Sequence, residues 1–299
     1  MNQRTLVNTY SFEGKGLHTG KYAHLNIKPA PANTGIVFVR TDAEGQPQIE
    51  ALAENVSQTS RCTTISKGGV SVWTIEHLMS ALTGLGVDNA YIELDNEEVP
   101  ILDGSARFYV EAILKDGLEV QDAERNYITL SEPVEIKDET TGSYIRISPA
   151  QETDYELTVD FNSRILGVQT AHWDYDMDYA EQIAPCRTFV FFHEIEFLAA
   201  NGLVKGGDVD NAIIIVEHPV KDEQISRLAN LFDIPKLEVT GEGYLNNLTL
   251  HFPDECGRHK LLDLIGDLRL CGGFLRAKID AYKPGHSINT AAAKIVRKK

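Results

Sequence analysis

Two stretches of this chain run through helix, glycine, strand, loop and helix in the same order. The first is "EHLMSALTGLGVDNAYIELDNEEVPILDGSARFYVEAIL", residues 76–114. The second is "RHKLLDLIGDLRLCGGFLRAKIDAYKPGHSINTAAAKIV", residues 258–296. Laid side by side, His77 falls on His259, each in the first turn of its helix, and Asp103 falls within one residue of His286. Identity is low, and many α+β halves share this order. The recurrence is therefore either an internal duplication or two halves built alike. A duplication would make the chain an α+β protein of two similar domains, and packing them face to face would bring His77 towards His259.

The stretch "GRHKLLDLIGD", residues 257–267, says more about that meeting point. Wound at about 100° per residue, it puts Leu261, Leu262, Leu264 and Ile265 on one arc. His259, Asp263 and Asp267 share the other, within roughly 80° of one another. A solvated polar face is the plain explanation. A metal is the sharper one, because residues at i and i+4 lie one turn apart on the same face. His259 and Asp263 could then share an ion. A catalytic zinc takes three protein ligands and leaves a position for water, and His77 would be the third. Glu76, beside His77, would flank such an ion as a general base; a first-turn acid favoured by the helix dipole is its ordinary alternative.

The bulk numbers narrow the class. The 299 residues suffice for one large domain or two ordinary ones. No apolar run approaches the 18 or so residues of a membrane span; the longest, "AIIIV" at 212–216, suits a buried strand. The four cysteines are scattered, as expected of reduced thiols in the cytoplasm, and the start lacks a signal-peptide core. A net charge of −16 repels nucleic acid, so a polyanionic ligand would need a local basic pocket, with Lys260 as one member. His24, His172, His193, His218 and His251 have no partner at metal spacing.

Alternation predicts strands through residues 4–40, a hairpin around Gly68–Gly69, a helix capped by Thr74, and a strand at "NAYIELD". "EVQDAERN", residues 119–126, is polar enough to be a linker, dividing the chain into domains 1–123 and 124–299. Strands resume at "YITL", "VEIKD", "SYIRISP" and "YELTVDF"; "EIEFLAANG" is expected as a short helix and "NAIIIV" as a strand. A helix over 258–271, the strand "FLRAKIDAY" and a last helix follow; residues 218–250 give no clear pattern.

"TIEHLMSALTGLGVDNAYIELDNEEVPILDGSA", "HKLLDLIGD" and "GHSIN", with "SFEGKGLHTG" and "RTF", resemble the signature segments of the UDP-3-O-acyl-N-acetylglucosamine deacetylases of lipid A biosynthesis. The resemblance covers nearly the whole chain in order. It implies two β-α-α-β layered domains with the active site between them, and zinc (Zn2+) held by His77, His259 and Asp263. It implies Glu76 as base, His286 as catalytic histidine with Asp267 as its partner, Thr188 beside the scissile carbonyl and Lys260 near the substrate. Phe161 and Lys283 match positions contacting the uridine and diphosphate of the UDP-linked acylated amino sugar. "FVFFHEIEFLAANGLVKGG" matches an insert, around 189–216, that forms an acyl-chain passage, implicating Phe189, Phe192 and Ile195.

The chain departs from the family in being longer between "NAIIIVEH" and "RHKLLD". Some relatives continue into a dehydratase domain, which would lie beyond residue 299. Two rival readings weaken beside these residues. A structural zinc site would be closed and rich in cysteine, and a generic metalloprotease would carry HExxH, which is absent.

Overall fold

The computed structural model describes residues 1–195, 205–208, 210–232 and 236–299. It is a mixed α+β fold with two main sheets. In the first, the order is Tyr10–Lys15, Tyr22–Pro29, Ala90–Leu94, Ile36–Arg40, Gln48–Glu50. The late strand Ala90–Leu94 is inserted between two hairpins, antiparallel to Tyr22–Pro29 and parallel to Ile36–Arg40. In the second sheet, Phe274–Tyr282 is inserted in the same way, antiparallel to Ser143–Pro149 and parallel to Asp154–Asp160. Val134–Asp138 and Val168–Asp174 flank these strands, and Tyr127–Thr129 pairs with Phe274–Tyr282 off the main path.

Each inserted strand is preceded by a helix, Glu76–Leu85 in one half and Glu255–Leu268 in the other. Each is followed by another, Arg107–Leu114 and His286–Arg297. The alternation of buried and half-buried residues along Ala90–Leu94 has the period of a strand, with Ala90, Ile92 and Leu94 inward. One apolar cluster joins Leu25, Ile27 and Ile92 with Ile147, Leu157 and Ile279 and with Leu78, Leu82, Leu261 and Ile265. Burying each such side chain is worth roughly 1.5–3 kcal/mol. The two pre-strand helices are therefore fixed against each other by a core common to both sheets.

The hairpin expected at Gly68–Gly69 is present: Lys67 pairs with Val70, and both glycines have positive φ, 60° and 83°. Such a two-residue turn needs left-handed backbone at both positions. Three other expectations need correction. Residues 118–124 are not a linker but a strand, antiparallel to Asn2–Leu6; its polarity reflects a two-stranded ribbon with much of its surface in water. Thr74 does not cap the first helix. The cap position is Ile75, and the Thr74 hydroxyl instead donates to Glu98 at 2.7 Å. The polar arc of the long helix is not solvated, since His259, Asp263 and Asp267 are all buried.

In the region that gave no clear pattern, a helix spans Asp222–Leu231, opened by a bond from the Lys221 N–H to Gln224 Oε1. Residues 192–195 are helical, and the rest of the helix expected at "EIEFLAANG" lies outside the described residues. Among the described residues no helix is long and apolar enough to cross a membrane.

Candidate metal centre

The two pre-strand helices meet where Gly266 lies against the first turn of the other helix. A Cβ on Gly266 would fall 2.1 Å from the Glu76 carbonyl oxygen. This close approach brings His77 and His259 together, with ring centroids 4.9 Å apart and planes at 82°. Asp263, one turn beyond His259, completes the group. Its Oδ1 lies 3.6 Å from His77 Nε2 and 3.5 Å from His259 Nε2. The three donor atoms all fall within 4.8 Å of one another.

The donor set fits a metal on independent grounds. Asp263 Oδ1 is buried and has no hydrogen-bond partner, a costly state for a carboxylate oxygen unless a cation meets it. His259 Nδ1 lies 3.0 Å from the Cys186 carbonyl, so that nitrogen donates and Nε2 keeps its lone pair. Burial, helped by His259, holds His77 well below an ordinary histidine, at about 3. Burial likewise lowers His259. Burial opposes ionisation of Asp263, but Lys260 and the histidines outweigh it and hold the carboxyl far below its usual range. The Lys260 ammonium donates to Asp263 Oδ2 at 2.8 Å. Neutral imidazoles and an ionised carboxylate are the protonation states that ligation requires.

A second group closes a ring beside the first. His286 Nδ1 lies 2.9 Å from Asp267 Oδ2, and its Nε2 lies 3.8 Å from Glu76 Oε1. Thr63 donates its hydroxyl to Asp267 at 2.6 Å and its N–H to Glu76 at 3.0 Å. Asn289 donates to Asp267 at 2.9 Å. Burial works against a charged His286, but Asp267 and Glu76 prevail and raise it to about 9. Burial raises Glu76 to about 8, against the charge of His286. This is a carboxyl and an imidazole with their ionisations set by each other, the arrangement that acid–base chemistry uses.

Both groups open into a cavity of about 460 Å³. Glu76, His77, Thr188, His259, Lys260, Asp263 and His286 contribute to its lining, and so does His18 of the "GLHTG" turn. Phe189, Val190, Ile195, Ala212, Ile214 and Phe232 supply an apolar wall, and Arg61 and Lys205 join Lys260 as cations. Thr188 is held from both halves: its N–H donates to the Gly104 carbonyl and its own carbonyl accepts from Ile213, each at 2.8 Å.

The remaining expected site residues lie off this lining. Asp267 is fully buried behind His286. Phe161 packs edge-on against Phe189 at 5.4 Å. Lys283 is half-buried at φ 50°, its N–H on the Thr158 carbonyl. Phe192 packs with Ile214, Val216, Leu228 and Leu245 in a small separate core. Three supporting residues went unread in the sequence. Asn289 carried a signal, since it is one turn from His286 on the same helix face. Thr63 and Glu98 carried none, because their partners are distant in sequence.

The chain matches the family described as UDP-3-O-acyl N-acetylglycosamine deacetylase over residues 3–232 and 236–298. It is 43% identical over its whole length to a protein of Bacteroides thetaiotaomicron named bifunctional enzyme LpxC/FabZ, of which it covers 65%. The chain thus spans just under two thirds of that relative's length. It is 38% identical, over 98% of itself and 97% of the relative, to a UDP-3-O-acyl-N-acetylglucosamine deacetylase of Trichormus variabilis. With a protein of the same name from Myxococcus xanthus it shares 39% identity over 99% of its own length and 86% of the other's. By these matches, over nearly its whole length, the chain belongs to the UDP-3-O-acyl N-acetylglycosamine deacetylase family.

Proposed function

We propose that this protein is a zinc-dependent deacetylase that hydrolyses the N-acetyl group of UDP-3-O-acyl-N-acetylglucosamine in lipid A biosynthesis, in the cytoplasm. The observation that carries the reading is the unpartnered Asp263 oxygen facing the Nε2 atoms of His77 and His259 beside the Glu76–His286 pair. His77, His259 and Asp263 would hold the metal. Zinc there would supply Lewis acidity, polarising a carbonyl and acidifying water.

Glu76 acts in its ionised form, which the charged His286 favours, and takes a proton from water as the water oxygen attacks the acetamide carbonyl carbon. Thr188 donates its hydroxyl hydrogen to the developing oxyanion, and Lys260 adds positive charge nearby. The C–N bond then breaks. The nitrogen cannot leave as an amide anion, so His286, charged and held by Asp267, gives it a proton. The products are the free amine and acetate.

Arg61, Lys205 and Lys260 on the cavity lining support an anionic ligand in a chain that is otherwise strongly acidic. Phe161 and Lys283 are proposed for the UDP moiety, and Phe189 and Ile195, which line the cavity, for the acyl chain, with Phe192 in the small core behind them. Two domains, 1–123 and 124–299, related by duplication, form part of the same reading; the common strand order of the two sheets supports it. Four buried, unpaired cysteines support a reducing compartment.

The test is metal content together with acetate release from the UDP-sugar. One divalent ion per chain is expected, with release abolished by chelation and restored by zinc. His77→Ala, His259→Ala and Asp263→Ala should each bind metal much more weakly. Full metal retention in all three, or no acetate from the metal-loaded protein, would overturn the reading.

A further inference from the structure

Glu98 is 1% exposed, and among the described residues no cation pairs with it. Its carboxylate is met by four donors. His18 N–H approaches Oε1 at 2.9 Å, Thr19 N–H and hydroxyl reach Oε2 at 2.7 Å each, and the Thr74 hydroxyl reaches Oε1 at 2.7 Å. A buried carboxylate without a cation is tolerated only where its oxygens are saturated in this way. The donors come from two separate segments, and both line the cavity through His18 and Thr74. Thr74 stands just before Glu76 and His77, at φ 58°, a left-handed conformation that a threonine adopts at a cost.

The two segments depend on Glu98 unequally. The Thr74 side is also tied by backbone: Trp73 N–H donates to Glu97, and Val99 N–H donates to Trp73. The Gly16–Gly20 turn is largely closed on itself, through Gly16 to Lys21 and Gly20 to Gly16. Beyond Glu98, its one backbone tie at the cavity among the described residues runs from Gly206 N–H to the Leu17 carbonyl. Gly16 also bears the mark of this contact. A Cβ there would lie 2.3 Å from Glu98 Oε2 and 2.8 Å from Glu98 Cβ, so the turn can sit over the carboxylate only with glycine at that position.

We propose that Glu98 is a positioning residue, whose carboxylate holds the His18 wall of the cavity against the segment that opens the metal-binding helix. This rests on the deacetylase reading for its substrate. Loosening the wall weakens substrate binding more than the chemical step, because the metal ligands and the Glu76–His286 pair keep their own supports.

Glu98→Gln keeps the shape but presents one acceptor oxygen and an NH2 group to four donors. The experiment measures three things on the zinc-loaded protein: amide exchange of the peptide spanning residues 14–21, metal content, and kcat and KM for acetate release. Exchange of that peptide should speed up about tenfold or more, as expected for losing bonds to a charged group. KM should rise about tenfold, with kcat within about threefold and metal content unchanged. Thr19→Val, which removes one donor from the turn alone, should shift exchange and KM the same way by less, and should add little in the Glu98→Gln background. If Glu98→Gln does not fold, Thr19→Val alone carries the test. Unchanged exchange and KM would overturn the inference, as would a lowered melting temperature with kinetics unchanged well below it. Absence of acetate release in the wild type would sink the deacetylase reading instead, while the exchange comparison would still decide whether Glu98 holds the turn.

Discussion

Glu76, His286, Asp267 and Thr63 close a ring in which each member fixes the next. Thr63 ties both carboxylates, Asp267 orients the His286 imidazole through Nδ1, and His286 Nε2 faces Glu76. None of the four is among the three proposed metal donors. Glu76→Gln and His286→Ala should therefore keep the metal while losing about 10²–10⁴-fold in rate, the usual contribution of a general acid or base. Metal analysis beside kcat at saturating substrate checks this; near-wild-type turnover in either variant would remove that residue from its role. The gathering of His77, His259 and Asp263 was legible in the sequence because i, i+4 spacing and the recurrence of a first-turn histidine are local patterns. Thr63 was not, since its bond to Asp267 joins residues 204 positions apart. Nor was the burial of the polar arc on the long helix. Periodicity divides a helix into faces, but it does not tell whether water or another helix covers the polar one.

The element that decides the geometry is the contact of the two pre-strand helices at Gly266. A glycine inside a helix costs about 1 kcal/mol relative to alanine, so Gly266→Ala would be stabilising if propensity ruled. Contact opposes it: the added Cβ would lie 2.1 Å from a backbone oxygen of the other helix, and 3.1 Å from the Ser80 nitrogen. A backbone atom cannot turn aside as a side-chain tip can, so the helices must separate. Overpacking of this kind costs about 1–3 kcal/mol, which exceeds the propensity gain over most of its range. The same separation would pull His77 away from His259 and Asp263. Gly266→Ala is expected to lower both the melting temperature and zinc affinity, measured by thermal denaturation and by competition with a chelator. A variant more stable than wild type with undiminished affinity would show that the helices have slack at this contact. Helices and strands were legible here from periods of 3.6 and 2. The strand at Leu118–Glu124 was misread because its side chains are polar and its partner, Asn2–Leu6, lies at the far end of the first half. The cap was misread because Thr74 lies one residue before the cap position, and its hydroxyl donates to Glu98 where a cap would accept from the helix N–H groups.

At the scale of the whole molecule, the chain sets a polar centre and an apolar wall on one cavity, the combination that a charged sugar bearing a long acyl chain requires. The resemblance pointed to residues around 189–216 for the chain passage, but sequence could not separate wall from core there, since both demand apolar side chains. The structure distinguishes two neighbours. Ile195 lines the cavity, although it also touches the small core, whereas Phe192 belongs to that core and is not on the lining. Ile195→Trp should narrow the passage. Each buried methylene is worth about 0.8 kcal/mol, so excluding three of them would cost about 2.4 kcal/mol, or roughly 50-fold in kcat/KM for a long-chain substrate. A substrate whose chain stops short of the obstruction would lose far less. Phe192→Ala removes a buried ring and should cost about 3–5 kcal/mol of stability while leaving chain-length preference as it was. Measuring kcat/KM across several acyl lengths, with melting temperatures for both variants, separates the two. If Ile195→Trp behaves like Phe192→Ala, with stability lost and preference unchanged, Ile195 belongs to the core and the acyl chain runs elsewhere along the wall.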